Sequence, residues 1–157
     1  MSDATIEKLI SESTFFSGLP AALIAFLSEH AKRRRLAADE VLFRYGDHAR
    51  HFYLIVDGSV SVEVAAIEGP ALELQQLGTG AVLGWSWLIP PFKWSFQARA
   101  TAAANVIAFD GAAILAGCDA NPVFGYELLK RFSALMSERL NFARQKMMEE
   151  WKPAGFA

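Results

Sequence analysis

From Ala4 to about Arg34, apolar residues recur at helical spacing. Ile6, Leu9 and Ile10 form one set and Leu23, Phe26 and Leu27 another, with Gly18 and Pro20 dividing two short helices. From Val41 to Asp110 the pattern changes to short β-branched and aromatic runs: VLFRY, HFYLIVD, SVSVEVAA, ALELQQL, FQARATA and NVIAF. Gly46-Asp47, Asp57-Gly58, Gly69-Pro70 and Gly78-Thr79-Gly80 punctuate them, and many short strands with tight turns predict a barrel or sandwich. After Asp110 the helical period returns. A short helix is expected near Ala112 to Ala116, then a long one opened by Asn121 as N-cap and Pro122 at its first position, unbroken before Pro153. The expectation is a single domain over 4–151, with a helical lead-in at 4–34, strands at 41–110 and C-terminal helices at 111–151.

The last helix carries an apolar stripe of Leu129, Phe132, Met136, Leu140, Ala143 and Met147, while Lys130, Arg131, Glu138, Arg139, Arg144 and Lys146 fall mainly on other faces. At 1.5 Å per residue such a helix is roughly 45 Å long, more than a small barrel covers. Its distal half is therefore expected to meet another partner.

At 157 residues the chain fits one domain, and its net charge of −2 gives no global drive toward nucleic acid or anionic membranes. The 53% hydrophobic content raises the question of a membrane span, but Asn105, Asp110 and the Asp110-Gly111 pair interrupt the most apolar stretch. No membrane helix is expected. The single cysteine, Cys118, excludes an internal disulfide, and the N-terminus lacks the pattern of a signal peptide, so the sequence reads as cytoplasmic.

Candidate chemistry is sparse. His48 and His51 form an HxxH pair beside Asp47, but they flank a turn and no second ligand cluster occurs, so no metal is assigned. Lys32 to Arg35, KRRR, reads as a solvated face rather than a nucleic-acid patch. Cys118 has no histidine or CxxC partner, and neither a catalytic triad motif nor a P-loop is present, so no enzyme is predicted. The dense feature is LGWSWLIPPFKWSFQARAT, from Leu83 to Thr101, which holds three of the four tryptophans.

The runs FFSGLPAALIAFL, DEVLFRYGD, FYLIVDGSVSV and LQQLGTGAVLG closely resemble the cyclic-nucleotide-binding domain of the catabolite-activator and protein-kinase-A regulatory-subunit type, from Phe15 to Met148. The resemblance implies a Crp/Fnr-like β-roll, a jelly-roll barrel with N-terminal helices and a long C-terminal helix. Gly46, Gly58, Gly80 and Gly84 fall at its corners, and the residues agree independently, since glycine supplies the positive φ of such turns. In that family a glycine-glutamate pair opens a short helix in a phosphate-binding cassette, and an arginine later in the loop clamps the cyclic phosphate with directed hydrogen bonds.

Here Gly84 is present, the glutamate position is Trp85, and the arginine position aligns with Trp94, with Lys93 and Ser95 as alternatives. Lys93 is a point charge rather than a fork, and Arg99 can face either side of its strand. The cassette Gly84, Trp85, Ser86, Trp87, Leu88 is expected to keep its turn and helix while exchanging charge for aromatic surface. The favoured reading is that Trp85, Trp87, Phe92 and Trp94 plug the pocket. The other is that indoles stack on a base or another planar ligand.

The expectation is thus a non-enzymatic regulatory or sensory module, homodimeric through its last helix, that does not bind cAMP or cGMP in the usual way. Two alternatives stay open: a true cyclic-nucleotide receptor using Lys93, cassette amides and indole stacking, and a structural subunit with a closed pocket that docks on a protein partner. In the resembling transcription factors the long helix forms the dimer interface and leads into a DNA-binding winged helix-turn-helix domain, and no such domain is expected here.

Overall fold

The computed structural model describes residues 3–65 and 69–151. Two helices, α1 (Asp3–Glu12) and α2 (Ala21–Glu29), lead into six strands: β1 (Ala31–Leu36), β2 (Val41–Phe43), β3 (His51–Val64), β4 (Leu72–Leu77), β5 (Val82–Leu83) and β6 (Gln97–Asp110). Helices α3 (Gly111–Ala120) and α4 (Pro122–Trp151) follow. The strands form one antiparallel sheet in the order β1-β6-β3-β4, with β2 added to β6 and β5 added to β3. This is the mainly-β roll with flanking helices that the resemblance implies, where the strand pattern alone predicts a barrel or sandwich.

Four boundaries differ from the sequence reading. The helical lead-in ends at Glu29 rather than near Arg34, and Lys32 to Arg35 lie exposed within β1, paired in register with β6. Consecutive strand residues alternate sides, so both faces of this edge strand meet solvent at 32–35, where charged side chains are well tolerated. The Asp57-Gly58 pair is not a turn: HFYLIVD and SVSVEV run on as the single strand β3, whose pairing with β6 shifts register between Ile55 and Val60. Gly58 has φ of 96°, and a Cβ there would lie 2.5 Å from that of Ala104, so only glycine lets the two strands approach. Asp57 spans the irregularity, accepting from the backbone N–H of Asn105 at 3.2 Å and from its side-chain amide at 2.9 Å. By the same bulged pairing, FQARATA and NVIAF are one strand, β6. Finally, α3 runs through Ala120, longer than the Ala112–Ala116 expectation, with Asp110 as its cap accepting from the N–H of Ala113 at 3.2 Å.

The continuous apolar character of β3 and β6 has a simple cause: both faces are buried. Phe52, Leu54, Ile107 and Phe109 point into a core shared with the helices, while Tyr53, Ile55, Ala98, Ala100 and Val106 point into the roll. Helix α4 is capped by Asn121, whose side-chain oxygen accepts from the N–H of Phe124 at 3.4 Å. Its inward face is Leu128, Phe132, Leu135, Arg139 and Ala143. Phe132 anchors it, fully buried and edge-on to Phe15, Phe52 and Trp87 at 4.9 to 5.1 Å. Burying such a side chain contributes about 1.5–3 kcal/mol.

Candidate functional site

Between β5 and β6 the chain crosses the mouth of the roll. Gly84 opens this segment with φ of 101°. The helix expected after it is absent. Residues 86–91 run as successive turns, with the N–H of Leu88 donating to the carbonyl of Trp85 at 3.0 Å and that of Phe92 to Ile89 at 3.0 Å. Pro90 and Pro91 account for this, since a proline lacks an amide donor and disfavours helical geometry in the residue before it. The far end of the segment is tied to the turn at 46–49. Ala49 N–H donates to the Phe92 carbonyl at 2.7 Å, Trp94 N–H to Asp47 at 2.9 Å, and Gly46 N–H to Trp94 at 2.9 Å.

The segment's tryptophans have three different fates. Trp94 is buried inside the roll, its indole stacked on Phe43 with ring centroids 3.6 Å apart and planes 10° from parallel. It also lies against Gly84, where a Cβ would come within 2.6 Å of the indole. Trp87 is buried in the other core, between Phe52 and Phe132. Trp85 is half-buried, edge-on to Phe96 at 5.7 Å. Of the four aromatics expected to plug the pocket, Trp94 thus lies inside the roll, Trp85 at its edge and Trp87 in the helical core, while Phe92 is half-buried and lines a groove outside the roll.

The other expected site residues divide likewise. Ser86 is buried beside the roll mouth and Leu88 packs on the helical core. Lys93 and Ser95 are exposed. Arg99 faces outward, because its neighbours Ala98 and Ala100 point in. It donates to Asp39 at 2.9 Å and to the buried carboxylate of Glu63 at 2.9 Å. Burial pushes the Glu63 carboxyl up, but hydrogen bonds from Arg99 and Gln97 outweigh it and hold the group below its ordinary range. Arg99 is thus committed to an ion pair outside the pocket.

What remains of the pocket is a cavity of about 20 Å³, walled by Phe43, Leu83, Gly84, Trp85, Trp94 and Phe96. That admits one water-sized group, whereas small-molecule sites run to about 300–1,000 Å³.

The helix side of this cavity holds a residue that sequence reasoning missed. Arg139, assigned above to the polar side of α4, is only 6% exposed. Its Nη2 donates to the carbonyl of Val82 at 2.7 Å, while Nε and Nη1 have no partner. Burial pulls its pKa down to about 10. The signal was the spacing of Leu128, Phe132, Leu135, Arg139 and Ala143, a second stripe one residue out of step with the first. The expected dimer stripe splits accordingly: Phe132 and Ala143 belong to the chain's own core, Leu129, Leu140 and Met147 are exposed, and Met136 is half-buried.

Outside the roll, His48, Arg50, His51 and Asp110 line an open groove of about 340 Å³. Among the described residues, no group of three or more His, Cys, Asp or Glu is placed to hold a metal ion, and no helix is long and apolar enough to cross a membrane.

The sequence profile of the cyclic nucleotide-binding domain matches residues 33–121, more than half of the chain. The chain belongs to the cyclic nucleotide-binding domain family. A putative potassium channel protein of Rhodopseudomonas palustris is 28% identical over 104 residues, which cover 66% of this chain and 25% of that protein, so the chain spans about a quarter of its length. Among solved structures, a putative cyclic nucleotide-binding protein from Geobacter metallireducens superposes with a TM-score of 0.76 at 21% identity, over 89% of this chain and 98% of that one. A cyclic nucleotide-binding domain from Methylobacillus flagellatus gives 0.76 at 18% identity, over 94% and 83%. These likenesses define the fold.

Proposed function

We propose that the chain is a non-enzymatic regulatory or sensory module whose roll pocket is closed by its own Trp94 and does not take cAMP or cGMP in the family's usual way. The observation that carries this reading is the Trp94 indole stacked on Phe43 where the resemblance expects a phosphate-clamping arginine. A cyclic phosphate entering here would lose water beside Trp85 and Trp94, and leaving a buried charge poorly paired costs several kcal/mol. The spanning of a quarter of a putative potassium channel protein supports a modular role. Cys118, whose thiol burial pushes up, gives no support to nucleophilic chemistry.

The receptor alternative draws on Lys93, cassette amides and indole stacking. Against it stand the exposure of Lys93 and the engagement of the Trp94 amide with Asp47. The module works as a homodimer in this reading, through the outward row Leu129, Met136, Leu140 and Met147 on α4. Thermal melts with cAMP or cGMP test the pocket: a ligand at 100 times its dissociation constant adds about 2.7 kcal/mol to stability, and no shift is expected with either nucleotide.

A further inference from the structure

The closed pocket leaves Arg139 unexplained. The residue is 6% exposed, forms no ion pair among the described residues, with Glu138 acting on it only through space, and carries two guanidinium nitrogens without a partner beside a cavity of about 20 Å³. A buried cation without an ion-pair partner is costly to fold around, and the same setting strengthens any hydrogen bond it makes to an anion. Nη2 spends one hydrogen on Val82. Whichever hydrogen that is, the other still lies parallel to one on Nε or Nη1, so a planar fork of the kind that pairs with a carboxylate stays open.

The remaining walls specify the rest of the ligand. Phe43, Trp85, Trp94 and Phe96 are aromatic, and the Trp94 indole shows that a flat ring fits between Phe43 and Gly84, where a side chain on Gly84 would obstruct it. We propose that Arg139 anchors the acid group of a small planar aromatic carboxylate whose ring takes the place of the Trp94 indole, entering as Trp94 leaves. With the indole in place, the space against Arg139 is about 20 Å³, room for a carboxylate oxygen alone. The anchor sits on α4, three residues from Met136 and next to Leu140, so capture of the acid bears directly on the helix that carries the proposed dimer face. This inference rests on the reading of the chain as a sensory module with a self-filled pocket.

The test compares benzoate with its neutral isostere benzamide. In Trp94→Ala, calorimetry should show benzoate bound at least about tenfold more tightly than benzamide, and adding Arg139→Met should erase the difference. Equal affinities in Trp94→Ala, or a preference that survives Arg139→Met, overturns the proposal. Should Trp94→Ala fail to fold, saturation-transfer NMR on the wild-type protein and on Arg139→Met alone decides it. Benzoate should give a signal with wild type that is lost with Arg139→Met, and no signal, or one that persists, overturns it. Submicromolar binding of cAMP by wild type would instead remove the proposed function, while the benzoate comparison is read independently.

Discussion

The Trp94 indole lies on the Phe43 ring at 3.6 Å, within 10° of parallel, and fills the interior of the roll beside Gly84. The geometry makes Trp94 part of the core, with a cost on removal that a lining residue would not have.

Trp94→Ala is therefore expected to lose about 3–5 kcal/mol of unfolding free energy, as large-to-small changes at buried aromatics do. Trp85→Ala, at a half-buried edge-on contact, should lose about half as much or less. Urea denaturation measures both, and equal losses would contradict the placement of the two rings.

Arg139→Met should leave the protein at least as stable as wild type. It gives up one hydrogen bond to Val82, about 1 kcal/mol, and removes a buried charge whose desolvation outweighs the attraction of Glu138. A loss above about 2 kcal/mol in the same denaturation experiment would make the guanidinium a structural element.

Acid should expose the pairing of Glu63 with Arg99. The Glu63 carboxyl is held below its ordinary value in the folded state, so its contribution is fully present above the unfolded value of about 4.3 and is lost as pH falls through the lower folded value. Glu63→Gln lacks this component. The stability gap between wild type and variant should be constant from neutral pH to about pH 5 and shrink below about pH 4. A gap that widens toward acid would reverse the sign argued here.

The split face of α4 separates assembly from folding. Leu140→Glu, at a side chain 68% exposed, should give folded monomers, whereas Phe132→Glu, fully buried, should abolish folding. Sedimentation of wild type as a monomer at tens of micromolar, a working range for such an interface, would remove the homodimer.

The strands, the glycine corners and the capped start of α4 were legible because each is set locally, by alternation, by positive φ or by the Asn121-Pro122 pair. Gly46, Gly80 and Gly84 have the positive φ expected of corners, whereas Gly58 has it within β3. Asp57-Gly58 misled because the same dipeptide that closes a hairpin also permits a bulge, and only the approach of Ala104 distinguishes them. Trp87 and Trp94 lie in one irregular segment, where no side-chain period says which core each enters. Arg139 was hidden by helix phase. Leu128 with Leu129, Leu135 with Met136 and Arg139 with Leu140 form two adjacent stripes, and packing against Phe52 and Trp87 through Phe132 chooses the one that buries the arginine.

The central claim is that Trp94 holds the place where a cyclic nucleotide's phosphate would sit. Calorimetric titration of the wild-type protein with cAMP and with cGMP tests it most directly. The account predicts no saturable heat with either nucleotide at tens of micromolar, weaker than about −8.2 kcal/mol of binding free energy. A submicromolar dissociation constant for either would contradict it.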